Sequence, residues 1–502
     1  MITTVSWIPK GSLKAVPDVA EPPSKEEIKE LIESGAFSRS VDGGSNEDEE
    51  EIGEDVNQIS EVDRAKAVAE AFGKSSKSKN ASSLSMELDD VADGLKELDM
   101  DNYDEEDDGI ELFSSGLGDL YYPSNEMDPY LKDAADDDDE DDEDIDDTTI
   151  KPTDLVIICA RNEDEVSHLE VYVYEESNGA PNMYVHHHII IPEFPLCTAW
   201  MDCPLKGGEK GNFVAIGSKD TPTIEIWDLD VRDEVLPCVQ LGGIDETKIR
   251  KKKKNKKEKS KKKKEIYKEG SHTDSVLGLA WNKEFRNILA SASADKKVKV
   301  WDVATGTCKI TMEHHTKEVQ AVAWNPYAPE VLLSGSFDQT VVLKDGRQPS
   351  HSGFTWSVMS DVESLAWDPH CEHSFVVSLE DGTVKGFDIR AAQSGSGSEL
   401  RPSFTIQAHD QNKGVSSISY NLSAPNLLAT GSMDKTVKLW DLSNNEPSCI
   451  ASHKPKAGAV FSISFSVDNP FLLAIGGSKG ELHVWDTLLD ANVAHKYGSN
   501  RS

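Results

Sequence analysis

Nowhere in these 502 residues is there an apolar run of about 18, so no transmembrane helix is expected, and the opening MITTVSWIPK has no apolar stretch of signal-peptide length. The seven cysteines (Cys159, Cys197, Cys203, Cys238, Cys308, Cys371 and Cys449) include no CxxC spacing. An odd, scattered set fits a reducing compartment better than a disulfide framework. The common signatures of chemistry are missing as well: there is no GxSxG elbow, no HExxH and no Walker-type GxxxxGKS/T. Together these absences point to a soluble intracellular protein that is not an enzyme. No cofactor, no catalytic or metal residue, no membrane and no small-molecule substrate is expected.

Basic charge is scarce too, and unevenly so. The chain has 52 Lys+Arg against 91 Asp+Glu, a formal net charge of −39. Residues 11–150 alone hold 45 acidic and 11 basic residues, so nearly all of the imbalance lies in one segment. Against this background residues 251–265 read KKKKNKKEKSKKKKE.

What is present in abundance is a repeat. An aromatic preceded by small and β-branched residues recurs as VSWIP at Trp7, TAWMD at Trp200, LAWNK at Trp281, VAWNP at Trp324 and LAWDP at Trp367, then as ISYNL at Tyr420 and ISFSV at Phe465. From Trp281 onward the spacings are 43, 43, 53 and 45 residues. A second motif follows in step, as in ILASASADKKVKVWD ending at Asp302 and LLATGSMDKTVKLWD ending at Asp441, with other copies ending at Asp228, Asp345, Asp388 and Asp486. Each unit reads as two alternating runs joined by a tight polar turn, the pattern of a β-meander. A period near 43 with a closing Trp-Asp resembles the WD40 family, over about residues 197–487 plus the first ten.

That resemblance implies an all-β fold, a seven-bladed WD40 β-propeller. Residues 1–10 supply the first strand of blade 1, and DLVIICA, HLEVYVYEE and MYVHHHIII (154–160, 168–176 and 183–191) supply the rest. Trp7 and Trp200 stand 193 residues apart, far beyond one period, so residues 11–150 form an insertion within blade 1, acidic and largely disordered with short helices. The propeller then runs over 151–490, with 491–502 as a C-terminal tail. By the same spacing argument residues 245–270 are a Lys-rich disordered loop between blades 2 and 3, and AAQSGSGSEL (391–400) is a linker. In a four-stranded meander a first-to-second-strand loop and a between-blade loop leave opposite faces, so the acidic and basic excursions are expected on opposite sides.

In WD40 blades a His before the first strand, a Ser/Thr in the second, an Asp in the turn and the Trp form a structural hydrogen-bond network. His272, Ser291, Asp295 and Trp301 match it in blade 3, and His409, Thr430, Asp434 and Trp440 in blade 6. Blade 4 has His315 and Asp338 but Leu343 for the Trp; blade 5 has Phe387 there, and blade 7 keeps His453 and Trp485 with Lys479 near the turn. A His–carboxylate pair resembles catalytic parts, yet these recur with the blades, which is structural behaviour. Of His186, His187 and His188, only the outer two share a strand face, with no third metal ligand in view; Cys371-Glu372-His373 is equally weak, and the sequons at Asn80 and Asn421 have no use inside a cell.

The basic tract comprises Lys248, Arg250, Lys251, Lys252, Lys253, Lys254, Lys256, Lys257, Lys259, Lys261, Lys262, Lys263 and Lys264, with one acid among them. It reads as a nuclear or nucleolar targeting signal or a phosphate-contacting patch, the bland alternative being a solvated loop. Without interleaved aromatics it is suited to phosphates rather than stacked bases. In the acidic insertion, residues 24–35, 61–73 and 85–99 suit short amphipathic helices, and 109–131 is an aromatic-rich island that could dock on the propeller or on a partner. The run at 136–147 either engages basic partners or keeps the chain soluble. Ser45 and Ser60 precede acids at a spacing suited to acidic-directed phosphorylation.

SWIPKG near the start, an acidic insertion ending in YYPSNEMDPYL, the Lys-rich insert and the periodic tryptophans together resemble the periodic tryptophan family of WD40 proteins. That resemblance implies a nuclear, mainly nucleolar scaffold in ribosome biogenesis, with pre-ribosomal proteins and rRNA as partners. Its rival is a chromatin-associated histone reader or chaperone.

Overall fold

The computed structural model describes residues 1–20, 149–163, 166–176, 181–245, 266–393 and 401–498. The basic tract from Lys248 to Lys264, Ser45, Ser60 and the helices, aromatic island and acidic run expected between 24 and 147 all lie outside the described residues.

Seven antiparallel sheets follow one another along the chain. Their first strands are Ile2–Ile8, Pro195–Met201, Val276–Trp281, Val319–Trp324, Val362–Trp367, Ser417–Tyr420 and Val460–Phe465. Each of these packs against the first strands on either side of it, and Ile2–Ile8 sits between Val460–Phe465 and Pro195–Met201, so the ring closes. The fold is therefore a seven-bladed β-propeller. Blade 1 is built as its spacing demands: Ile2–Ile8 pairs with Leu155–Glu163, with Trp7 opposite Ile157, and Val166–Glu175 and Asn182–Ile191 complete the sheet.

The core is divided among the seven junctions. Each apolar cluster joins residues of two neighbouring blades, as Val214 and Trp227 of blade 2 meet Ile158 and Leu169 of blade 1. A sheet covered on both faces needs apolar side chains in both directions, so its second strand reads as a continuous run. Phe213–Ser218 and Leu472–Gly477 are buried along their whole length. At the closing junction the approach is so tight that a Cβ on Gly476 would lie 2.5 Å from Cγ2 of Ile2, which glycine alone permits.

Blades 1 to 6 have four strands, and blade 7 has three among the described residues, ending in His483–Asp486. The segment expected as a tail opens with a helix, Ala491–Tyr497. Asp490 caps it by accepting from the backbone N–H groups of Asn492 and Val493, and Val493 and Tyr497 bury into the junction of blades 6 and 7. The linker expected at 391–400 likewise begins in a short helix, Arg390–Gln393. The first residues after blade 1's opening strand also pack on the ring: Asp18–Val19 pairs in parallel with Val231–Arg232, and Ile150 donates its N–H to the Ala15 carbonyl.

Candidate functional site

On the face carrying the second-to-third-strand turns, the hydrogen-bond networks consist of short polar side chains that the blade spacing brings together. His272 is fully buried, its Nδ1 lies 2.9 Å from Asp295 Oδ2, and its Nε2 lies 2.7 Å from Ser291 Oγ. Trp301 donates its ring N–H to that same hydroxyl at 2.9 Å. Blade 6 repeats the arrangement with His409, Asp434, Thr430 and Trp440, at 2.9, 2.8 and 3.0 Å. Burial lowers the pKa of His272 and of His409, each partly offset by its carboxylate. Burial alone would raise the two carboxyls, but hydrogen bonds from the imidazoles and from nearby groups hold them below their usual range.

Blade 4 departs from this pattern through Leu343, and the structure shows what replaces the missing indole. His315 reaches Asp338 and Ser334 as its counterparts do, at 3.0 and 2.9 Å. The adjacent His314 brings Nε2 to 2.8 Å from the Ser334 hydroxyl and so supplies the N–H that Trp supplies elsewhere. Burial, helped by the neighbouring His315, lowers the His314 pKa to about 3, which keeps that ring neutral. The adjacent histidines opposite a leucine were the signal for this substitution in the sequence. All three networks are braces that tie turns to strands.

The opposite face is ruled by the periodic aromatics at the ends of the first strands. Trp324 donates its ring N–H to the Ala280 carbonyl of blade 3, Trp367 to Ala323 of blade 4 and Trp7 to Ser464 of blade 7, at 3.0, 3.2 and 2.8 Å. Each acceptor immediately precedes the aromatic of the blade before. The residue after the aromatic works in the other direction: Asn282, Asn325 and Asn421 donate their side-chain amides to Pro329, Glu372 and Pro470 of the next blade. Tryptophan reaches back and asparagine reaches forward, so blades are latched on both sides. The Asn recurring after the aromatic was legible in LAWNK, VAWNP and ISYNL, but its reach across the junction was not.

The tryptophans of blades 2 and 3 do not reach back. Trp200 keeps its N–H within its own blade, on Asn212 Oδ1 at 2.8 Å, and Trp281 does the same with the Arg286 carbonyl at 2.8 Å. The two indoles meet edge to face at 5.7 Å. Their junction is clamped instead by Arg286, which pairs with Asp202 Oδ1 at 2.7 Å and donates to the Asp202 and Glu209 carbonyls. Beside this junction a cavity of about 610 Å³ opens, lined by Trp7, Trp200 and Trp281 and by Lys10, Lys210 and Lys283 among others.

The basic tract has a described stem. Ile244 bridges Tyr267, the N–H of Asp245 donates to the Ile266 carbonyl at 2.6 Å, and that of Lys268 donates to Gly243 at 2.9 Å. Residues 245 and 266, the two ends of the excursion, are therefore held side by side. Of the three neighbouring histidines, His187 is the buried one, and its pKa falls to about 4 chiefly through burial. Among the described residues no group of three His, Cys, Asp or Glu side chains is placed to hold a metal ion. Likewise none of their helices is long and apolar enough to cross a membrane.

Comparison with known proteins agrees with this geometry. The WD40 family (WD domain, G-beta repeat) matches at residues 263–302, 306–345, 400–441 and 447–486. An uncharacterised WD repeat-containing protein of Schizosaccharomyces pombe is 40% identical over 74% of this chain and 69% of its own length. Periodic tryptophan protein 1 of Saccharomyces cerevisiae is 30% identical over 92% of this chain and 83% of its own. The periodic tryptophan protein 1 homolog of Drosophila melanogaster is 29% identical over 63% of each.

Proposed function

The chain belongs to the periodic tryptophan protein 1 family of WD40-repeat proteins, and on that premise we propose that it is a nuclear, mainly nucleolar scaffold in ribosome biogenesis. A rigid propeller whose titratable networks are consumed in bracing is suited to holding partners rather than transforming them. Pre-ribosomal proteins dock on its faces, and the basic tract grips rRNA phosphates without reading sequence.

The observation that carries this reading is the stem at residues 243–245 and 266–268. It holds residues 245 and 266 side by side on the ring, and in sequence these flank a segment containing 13 basic residues. The test is deletion of residues 250–264 from the full chain. Binding to rRNA fragments should weaken, its salt dependence should flatten, and nucleolar accumulation should fall. An unchanged salt slope refutes the phosphate grip. Co-purification separates the reading from its rival: pre-rRNA and assembly proteins support the scaffold, whereas nuclease-resistant nucleosomes in their place support a chromatin reader.

A further inference from the structure

The cavity beside Trp200 and Trp281 borders the latches at Trp7, Ser464 and Ala280, but Trp200 and Trp281 themselves form none. Of the three indoles lining it, Trp7 is buried and latched to blade 7, whereas Trp200 and Trp281 are only half-buried and donate within their own blades. The ammonium groups of Lys10, Lys210 and Lys283 have no ion-pair partner among the described residues. Among the described residues lining the cavity the one carboxylate, Asp202, is taken by Arg286, and nearby Asp468 accepts the Lys10 backbone N–H at 2.8 Å. Aromatic faces thus stand beside three lysine ammonium groups, which is the combination the basic tract lacks.

We propose that this cavity takes an unpaired nucleotide of single-stranded RNA, its base against the indoles of Trp200 and Trp281 and its phosphates on Lys10, Lys210 and Lys283. The proposal rests on the reading of the chain as an RNA-contacting scaffold and adds a base-dependent contact to it. A nucleotide is favoured over an acidic peptide because every unit of the RNA carries both a π face and an anion, whereas the peptide brings anions with no ring obligatorily attached. Stacking on an indole is tolerant of sequence, and a volume of about 610 Å³ lies within the usual range for a ligand pocket.

The test uses the full chain and three fluorescent probes: a short unstructured RNA, an abasic oligonucleotide of equal length and charge, and a Glu/Asp-rich peptide. The wild type should prefer the base-containing RNA by roughly ten-fold or more. Trp200→Ala should erase that preference, with Trp200→Phe restoring most of it because a ring is kept. Since Trp200 also packs in the ring, a surface variant guards against misfolding: Lys10→Glu/Lys210→Glu/Lys283→Glu should lower the log–log salt slope by about 2 with the melting transition intact. Equal affinity for the RNA and the abasic chain overturns the proposal but leaves the basic-tract reading standing. Peptide binding that depends on Trp200, without a preference for RNA, overturns it in favour of a protein ligand. No binding to either nucleic acid overturns both readings.

Discussion

Blades 4 and 5 and blades 2 and 3 carry the same aromatic at the same strand end and put it to different uses. Trp324 and Trp367 give their ring N–H groups to the preceding blade, so each indole is spent on a latch. Trp200 and Trp281 give theirs to their own loops, and a cavity opens where two further latches would have lain. In both blades the indole takes an acceptor from the loop that follows its own strand. In blade 2 the connection from Met201 to Phe213 is long enough to bring Asn212 Oδ1 to 2.8 Å from the indole nitrogen, and in blade 3 the Arg286 carbonyl lies at the same distance. A repeat motif therefore fixes where a side chain stands, while the loop beside it fixes what that side chain does.

Acid should separate the two regions most strongly. His272, His314, His315 and His409 belong to the braces of blades 3, 4 and 6, and burial lowers the pKa of each. A histidine whose folded pKa lies below its unfolded value takes up its proton more readily when unfolded, so stability is full above about pH 6.5 and falls as the pH drops towards the folded pKa. For His314, at about 3 when folded, the loss on reaching pH 5 is about 2 kcal/mol. The other three add to the loss in the same direction. Amide exchange measured from pH 7.5 to 5 should therefore rise first around these braces, whereas the buried carboxyls of Glu225 and Glu363, pushed up to about 7, favour the folded state over the same range in blades 2 and 5. A flat profile, or opening that begins in blade 1 at His187, would reverse the comparison.

Next in size is His409→Ala, which strips Asp434 and Thr430 of a buried partner and leaves a gap. Its expected cost is about 2–4 kcal/mol in urea unfolding. Arg286→Ala, on the unlatched side, removes the clamp on Asp202 and the Glu209 carbonyl. Because that guanidinium is about one-third exposed, roughly 1–2 kcal/mol is expected, with faster amide exchange in residues 202–210. If Arg286→Ala costs nothing, the junction of blades 2 and 3 is held by apolar packing alone.

The ring itself was legible because its signal is repeated: seven aromatics and six Asp endings at a near-constant period fix both the blade number and the place of each insertion. The braces at His272 and His409 were legible for the same reason. What single-blade reading could not reach were contacts between residues far apart in sequence, such as Trp7 with Ser464 or Arg286 with Asp202. His314 stood in plain view beside His315, but its role depends on Leu343, nearly thirty residues away. The cavity was illegible for a different reason. It is made by two latches not formed, and a pattern search reports the tryptophans without reporting where their hydrogens point.

The smallest effect makes the finest distinction. Trp324→Phe keeps the ring and removes only the N–H that crosses to Ala280, leaving a part-buried carbonyl without that donor. A net hydrogen bond of this kind contributes about 1 kcal/mol. Trp200→Phe also loses one hydrogen bond, but its acceptor, Asn212, still holds Asp230 through its amide. The two variants should therefore lose similar stability yet differ in where the loss appears. In Trp324→Phe, amide exchange should rise on both sides of the junction of blades 3 and 4, because the lost bond joined them. In Trp200→Phe it should rise within blade 2 alone. Equal spreading in both variants would mean that the indoles latch by bulk rather than by their N–H groups, and the contrast between the two regions would then lie in packing.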